Sequence, residues 1–255
     1  MLLAVDIGNT STTLGVFDGE ELHATWHMAT GVHRMADEYA ALLLNLLRQQ
    51  GLDTADIKAV AMCSVVPPLI STFSELFERY FNISPLVVGS GVKTGVRIRM
   101  DNPREVGADR IADAAAAHYF YGGPVIIIDL GTATTFGIIS KEGDYIGGII
   151  ATGIATAAEA LFTRTAQLPR VELAHPKHVI GTNTVAAIQS GIIYGYASLV
   201  EGMLARIQKE LGVKAKVVAT GGYAKLIAKE TAVIDVVNPD LTLVGLRLIY
   251  EMNKS

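Results

Sequence analysis

The chain has 255 residues, half of them apolar and 18% charged, with a formal net charge of -4. That apolar content can bury a sizeable core in one large domain or two ordinary ones. Nothing in the charge balance points to nucleic acid. Cys63 is the only cysteine, so no internal disulfide can form; in its apolar run it reads as a core thiol of a cytoplasmic protein. The apolar start is interrupted at Asp6 with no basic stretch before it, so no targeting signal is read. The uncharged stretch 181–200 holds Asn183, Gln189, Ser190 and several glycines, which speaks against a membrane span.

In chain order, residues 2–5 predict a short strand and 11–17 its hairpin partner, with a turn at 18–20. Leucines at helical spacing predict a helix over 36–50, closed by Gly51. Residues 59–66 read as a buried strand, 69–81 as a helix and 86–88 as a strand. Asn102-Pro103-Arg104-Glu105 predicts a helix start, with Asn102 as N-cap and Glu105 closing a capping box. That helix should run to Tyr121 and stop at Gly122-Gly123.

The pattern then begins again. Residues 125–128 form an apolar strand ending in Asp129-Leu130-Gly131-Thr132, as the first strand ended in Asp6-Ile7-Gly8-Asn9-Thr10. Both are followed by Thr-rich residues and a second apolar segment. The offset is 129 − 6 = 123 residues, close to half the chain. We read an internal duplication with halves at 1–121 and 122–255. The second half continues with helices over 156–165 and 184–211, a strand over 216–219 ending in Thr220-Gly221-Gly222, and a closing helix over 241–252.

A strand end carrying Asp-x-Gly and hydroxyls suits phosphate chemistry. Glycine lets backbone approach a ligand, and amides and hydroxyls donate to phosphate oxygens. The aspartate can hold Mg²⁺, which bridges phosphates in kinases. Two such turns plus Thr220-Gly221-Gly222 suggest a nucleotide cleft with a phosphate loop on each wall. No P-loop and no Gly-x-Gly-x-x-Gly is present. Asp109, near the start of the predicted helix at 103–121, could accept a proton from a substrate hydroxyl, or be an ordinary helix-start acid. Arg110 could grip a carboxylate or phosphate. His175 and His178 form a pair in a loop with no third ligand and read as surface residues.

Taken together, 6–10, 129–135, 101–110, 161–169, 183–185 and 219–222 resemble the motifs of the type III pantothenate kinases, in order and across nearly the whole chain. The resemblance implies a duplicated ribonuclease-H-like fold of the actin-like ATPase and sugar-kinase superfamily, two related halves around a nucleotide cleft. It implies ATP-dependent phosphorylation of pantothenate, with Mg²⁺ and K⁺ or NH₄⁺, in a cytoplasmic homodimer. Asp109 falls on the family's general base. Asp6, Ile7, Gly8, Asn9, Thr10, Ser11, Thr12, Thr13, Thr132, Gly221 and Gly222 fall on ATP contacts. Met100, Gly107, Ala108, Asp109, Arg110 and Thr184 fall on pantothenate contacts. Asp129 falls on the K⁺ ligand, and Asp6 is expected to hold Mg²⁺.

Three positions depart from the family pattern. Met100 stands where Tyr is usual, Gly137 where Asp is usual, and Thr152-Gly153 where Pro-Gly is usual. Met100 keeps apolar bulk without a hydroxyl. Gly137 is expected to remove a carboxylate near the cleft.

Overall fold

The computed structural model describes residues 1–254. It divides into two compact units. The first comprises Met1–Arg97, Asp101–Tyr119 and the segment from Asp240 onward; the second comprises Ile98–Met100 and Phe120–Pro239.

In the first unit, β1 (Leu2–Ile7), β2 (Ser11–Asp18), β3 (Glu21–Ala29), β4 (Ala59–Ser64) and β5 (Leu86–Val87) form one sheet in the order β3-β2-β1-β4-β5. β1 is antiparallel to β2 and parallel to β4. As the central strand it is covered on both faces, which is why its sequence is nearly all apolar. Leu3, Val5 and Ile7 pack with α1 (Ala36–Gln49) and α2 (Pro67–Phe81) in one core cluster, where Tyr39, Phe73 and Phe77 are fully buried. The strand predicted to reach 66 stops at Ser64. Pro67 and Pro68 open α2, where a missing amide costs nothing.

The other face of this sheet is covered from far along the chain. Helix α7 (Leu241–Asn253) lies against β1, β2 and β4. Gly15 of β2 leaves room for Leu243, whose Cδ1 lies 2.8 Å from where a Cβ would stand. α7 also crosses α3 (Ala108–Tyr121): a Cβ on Gly245 would stand 2.5 Å from the Ala112 carbonyl carbon. The Thr242 hydroxyl donates to the buried Asp113 carboxylate at 2.7 Å. The expected halves, 1–121 and 122–255, place this closing helix in the second half; it packs with the first unit.

α3 does not begin at Asn102. Pro103–Glu105 make a single 3₁₀ turn, Val106 is extended, and the helix starts at Ala108. Asn102 gives its side-chain amide to Glu105 (2.7 Å) and makes no cap bond, and the buried Val106 breaks the turn from the helix.

The second unit repeats the topology. β6 (Val125–Leu130), β7 (Ala133–Ile139), β8 (Tyr145–Thr152), β9 (Lys216–Thr220) and β10 (Val236–Val237) form a sheet in the order β10-β9-β6-β7-β8. Reversed, that order matches the first sheet strand for strand, as the duplication predicts. Ile126, Ile128 and Leu130 pack against α4 (Ile154–Arg164), α5 (Thr184–Leu211) and α6 (Ala224–Ile227). α5 has the predicted bounds. Asn183 caps it by accepting from the Ala186 amide at 2.9 Å, and Gly212 ends it at a φ of 68°.

Gly137 lies inside β7 and is buried, paired with Gly148 of β8. The fully buried Tyr145 ring occupies the space above both, 3.1 Å from a Gly137 Cβ. A side chain at this position would press on that ring. No helix among the described residues is long and apolar enough to cross a membrane.

Candidate active site

Each sheet carries its Asp-x-Gly turn at the end of its central strand. In the first unit Asp6 pairs with Thr13 across to β2 and with Cys63 across to β4. In the second, Asp129 pairs with Thr135 across to β7 and with Thr220 across to β9. The two acids therefore hold the same register position in duplicated sheets. Both turns are tight: the Gly8 amide donates to the Ser11 carbonyl at 3.0 Å, and the Gly131 amide donates to the Ala133 carbonyl at 3.1 Å. Asn9 and Thr10 are exposed, as is Thr132, so each loop presents backbone and hydroxyls to solvent.

Around Asp6 the chemistry is acidic. The Cys63 thiol donates to Asp6 Oδ1 at 3.3 Å and is fully buried. Burial pushes its pKa well above 9.0, and the negative charges of Asp6, Asp109 and Asp113 push it further. The sulfur stays a protonated donor to Asp6. Asp109 stands in the first turn of α3, two residues after Gly107, where a Cβ would lie 3.5 Å from Val65 just beyond β4. Asp109 Oδ1 accepts the Arg110 amide at 2.8 Å, which fixes the carboxylate against its own backbone. A side chain on Gly107 would collide with that oxygen, so glycine there keeps the approach to Asp109 clear.

Around Asp129 the backbone closes in. Gly221, at a φ of 88°, sits so near that a Cβ would strike Asp129 Oδ1 and stand 2.8 Å from the Leu130 nitrogen. Only glycine satisfies both the left-handed conformation and the approach. The Tyr223 amide donates to the Leu130 carbonyl at 3.1 Å, tying the Thr220-Gly221-Gly222 turn to β6. Among the described residues no three His, Cys, Asp or Glu side chains gather as a metal cluster. A divalent ion held at Asp6 would take much of its coordination from phosphate oxygens and water, as Mg²⁺ does in phosphoryl transfer.

The model of the type III pantothenate kinase family matches residues 2–206. Type III pantothenate kinases from two strains of Dehalococcoides mccartyi are each 59% identical to the chain. The CBDB1 strain's protein aligns over 99% of this chain and 96% of its own length; strain 195's aligns over 100% and 98%. The chain belongs to the type III pantothenate kinase family. Solved structures at lower identity share the fold of this family member. A Campylobacter jejuni protein assigned to the Baf family of transcriptional activators aligns with a TM-score of 0.60 at 19% identity, covering 98% of both chains. The activator of 2-hydroxyisocaproyl-CoA dehydratase from Clostridium difficile, solved with bound ADPNP, aligns at 0.57 and 15% identity, covering 98% of this chain and 94% of its own. These likenesses support the duplicated actin-like fold.

For a type III pantothenate kinase, the expected residues fall as follows. Residues 6–13 form the β1–β2 turn and the start of β2, and Gly107 to Arg110 lead into α3, all in the first unit. Asp129, Thr132, Gly221 and Gly222 surround the β6 end in the second unit. Met100 belongs to the second unit, one residue beyond Arg99, whose amide donates to the Tyr145 carbonyl and whose guanidinium pairs with Asp144 at 2.6 Å. Thr184 is the exposed first residue of α5. His175 is a surface residue, paired with Glu230 at 2.5 Å. Sequence reasoning missed Cys63 as the partner of Asp6. The signal was available only from strand pairing, because Cys63 lies 57 residues away in the sequence.

Proposed function

We propose that the chain transfers the γ-phosphoryl group of ATP to the primary hydroxyl of pantothenate, giving 4'-phosphopantothenate at the first step of coenzyme A biosynthesis. The observation that carries the reading is the family match along residues 2–206, with relatives 59% identical over nearly the whole chain. In-line phosphoryl transfer depends mainly on positioning and charge. Asp109 orients the acceptor hydroxyl and takes its proton. Its place in the first turn of α3, with glycine at 107 leaving the carboxylate clear, supports that role.

The amides and hydroxyls of Gly8 to Thr13, with Thr132, Gly221 and Gly222, hold ATP. Gly107, Ala108 and Arg110 hold pantothenate, together with Met100 and Thr184. Asp6 would hold Mg²⁺ and Asp129 K⁺ or NH₄⁺; hard carboxylate oxygens at two strand ends fit such ions. Bound there, the cations neutralise charge on the phosphates.

The active form is a cytoplasmic homodimer joined through α5. Within residues 184–199, Thr184, Ala187, Gly191, Gly195 and Ser198 recur at helical spacing and are all exposed, giving a smooth face that permits close helix packing.

ADP release is measured with ATP, Mg²⁺ and pantothenate, first in K⁺ and then with K⁺ replaced by Na⁺. Turnover that requires pantothenate and falls in Na⁺ is expected. ATP binding with no ADP formed in either salt would refute the kinase reading.

A further inference from the structure

The strand leaving each sheet's outer edge returns to the phosphate loop. Ser11 pairs with Ala29 at the end of β3, so Thr30 comes to lie over the first loop. Ala133 pairs with Thr152 at the end of β8, so the chain entering α4 comes to lie over the second. The duplicated register thus delivers two segments, far apart in sequence, to equivalent places.

At the first place Thr30 makes three bonds. Its hydroxyl donates to the Gly8 carbonyl at 2.8 Å, its amide donates to the Thr10 carbonyl at 3.0 Å, and its hydroxyl meets the buried Thr12 hydroxyl at 3.0 Å. Thr30 is itself anchored. The next residue, Gly31, donates its amide to the Tyr39 hydroxyl at 2.9 Å, and that hydroxyl donates back to the Gly31 carbonyl at 3.2 Å. Tyr39 is fully buried, its ring centroid 4.6 Å from that of Phe73. A continuous set of bonds therefore runs from the core to the loop. At the second place the Thr156 hydroxyl donates to the Thr132 carbonyl at 3.0 Å. Gly153 packs so tightly on the same carbonyl that no Cβ would fit.

We propose that Thr30 and Thr156 are positioning residues that brace the two phosphate loops from behind, each by a hydroxyl bond to a loop carbonyl. This rests on the reading of 6–13 and 129–132 as ATP loops. A loop that grips phosphate through its amides binds well only if those amides are already aligned. Fixing the carbonyls fixes the peptide planes, and so the amides on their other side. Neither threonine needs to touch ATP.

The test uses the full chain with Thr30→Val and Thr156→Val, which keep the side-chain shape without the hydroxyl, beside Thr30→Ser and Thr156→Ser, which keep the hydroxyl. ATP affinity, the KM values for ATP and pantothenate, and melting temperature are measured for each. One lost hydrogen bond corresponds to about a five- to tenfold weaker ATP interaction. We expect that loss in both valine variants, with the pantothenate KM within about twofold and recovery in both serine variants. A merely structural role would instead lower the melting temperature and move both substrates together, and that overturns the brace. Valine variants that bind ATP like the wild type overturn it too, as do serine variants as impaired as valine. If Thr30→Val does not fold, the exposed Thr156 pair decides by the same criteria. A wild-type protein that binds no ATP refutes the loop assignment itself; one that does, with unaltered valine variants, refutes only the brace.

Discussion

Replacing a helical glycine by alanine should have opposite signs at two places in this chain. At Gly245 of α7 a Cβ would stand 2.5 Å from the Ala112 carbonyl carbon and 3.0 Å from its Cα. Carbon atoms pack at roughly 3.5–4.0 Å, so α7 and α3 must separate by about 1 Å. These two atoms and the Ala112 carbonyl oxygen, which lies nearer still, are all backbone, which no side-chain rotation relieves. Overpacking of this kind costs about 3 kcal/mol. Better helix propensity returns about 1 kcal/mol. The net loss is about 2 kcal/mol, or about 4–8 °C in melting temperature for a chain of this size. At Gly202 of α5 nothing lies within 4 Å of the added Cβ. There only propensity acts, and Gly202→Ala should gain about 0.5–1 kcal/mol. Urea unfolding midpoints and melting curves of the two variants measure the contrast. Because α3 carries Asp109 in its first turn, Gly245→Ala should also lower kcat at temperatures where the variant is folded. A Gly245→Ala protein as stable as the wild type would refute the close crossing of α3 and α7.

Asp109→Asn should lower kcat at least about 100-fold while leaving ATP binding near wild type, as steady-state kinetics and calorimetry would show; activity within a few-fold of wild type would remove it as the base. Restoring the family's usual residue with Gly137→Asp should harm the protein. The carboxylate would press on the buried Tyr145 ring, costing about 2–4 kcal/mol, and a fall in melting temperature checks it. In light scattering the 27.1 kDa chain should run at about twice its mass. Gly195→Arg should halve that mass if α5 is the interface; a wild-type monomer at micromolar concentration would refute it.

What the sequence disclosed follows from how local each signal is. The two Asp-x-Gly strands and their 123-residue offset were readable because strand, turn and polar tail are contiguous. α5 was readable because Asn183 and Gly212 mark its two ends. β3 went unpredicted although Leu22, Ala24, Trp26 and Met28 alternate with polar residues, a period of two that marks a half-buried edge strand. β8 was masked by Gly147-Gly148, two residues with no side chain to continue an alternating pattern. The start of α3 was misplaced because Asn102 bonds to Glu105 where a cap was expected. The Cys63–Asp6 bond, the Thr30 brace and the packing of α7 all join residues distant in sequence, and no local pattern encodes such pairs.

The placement of α7 bears on how the protein is made. A ribosome releases β1, β2 and β4 early, and the α1–α2 face of their sheet can be covered soon after. The opposite face must wait until the segment from Asp240 emerges, by which time the whole second unit has been synthesised. Through that interval the nascent first sheet presents an apolar face to its surroundings, so the earliest unit in translation is the last to be completed.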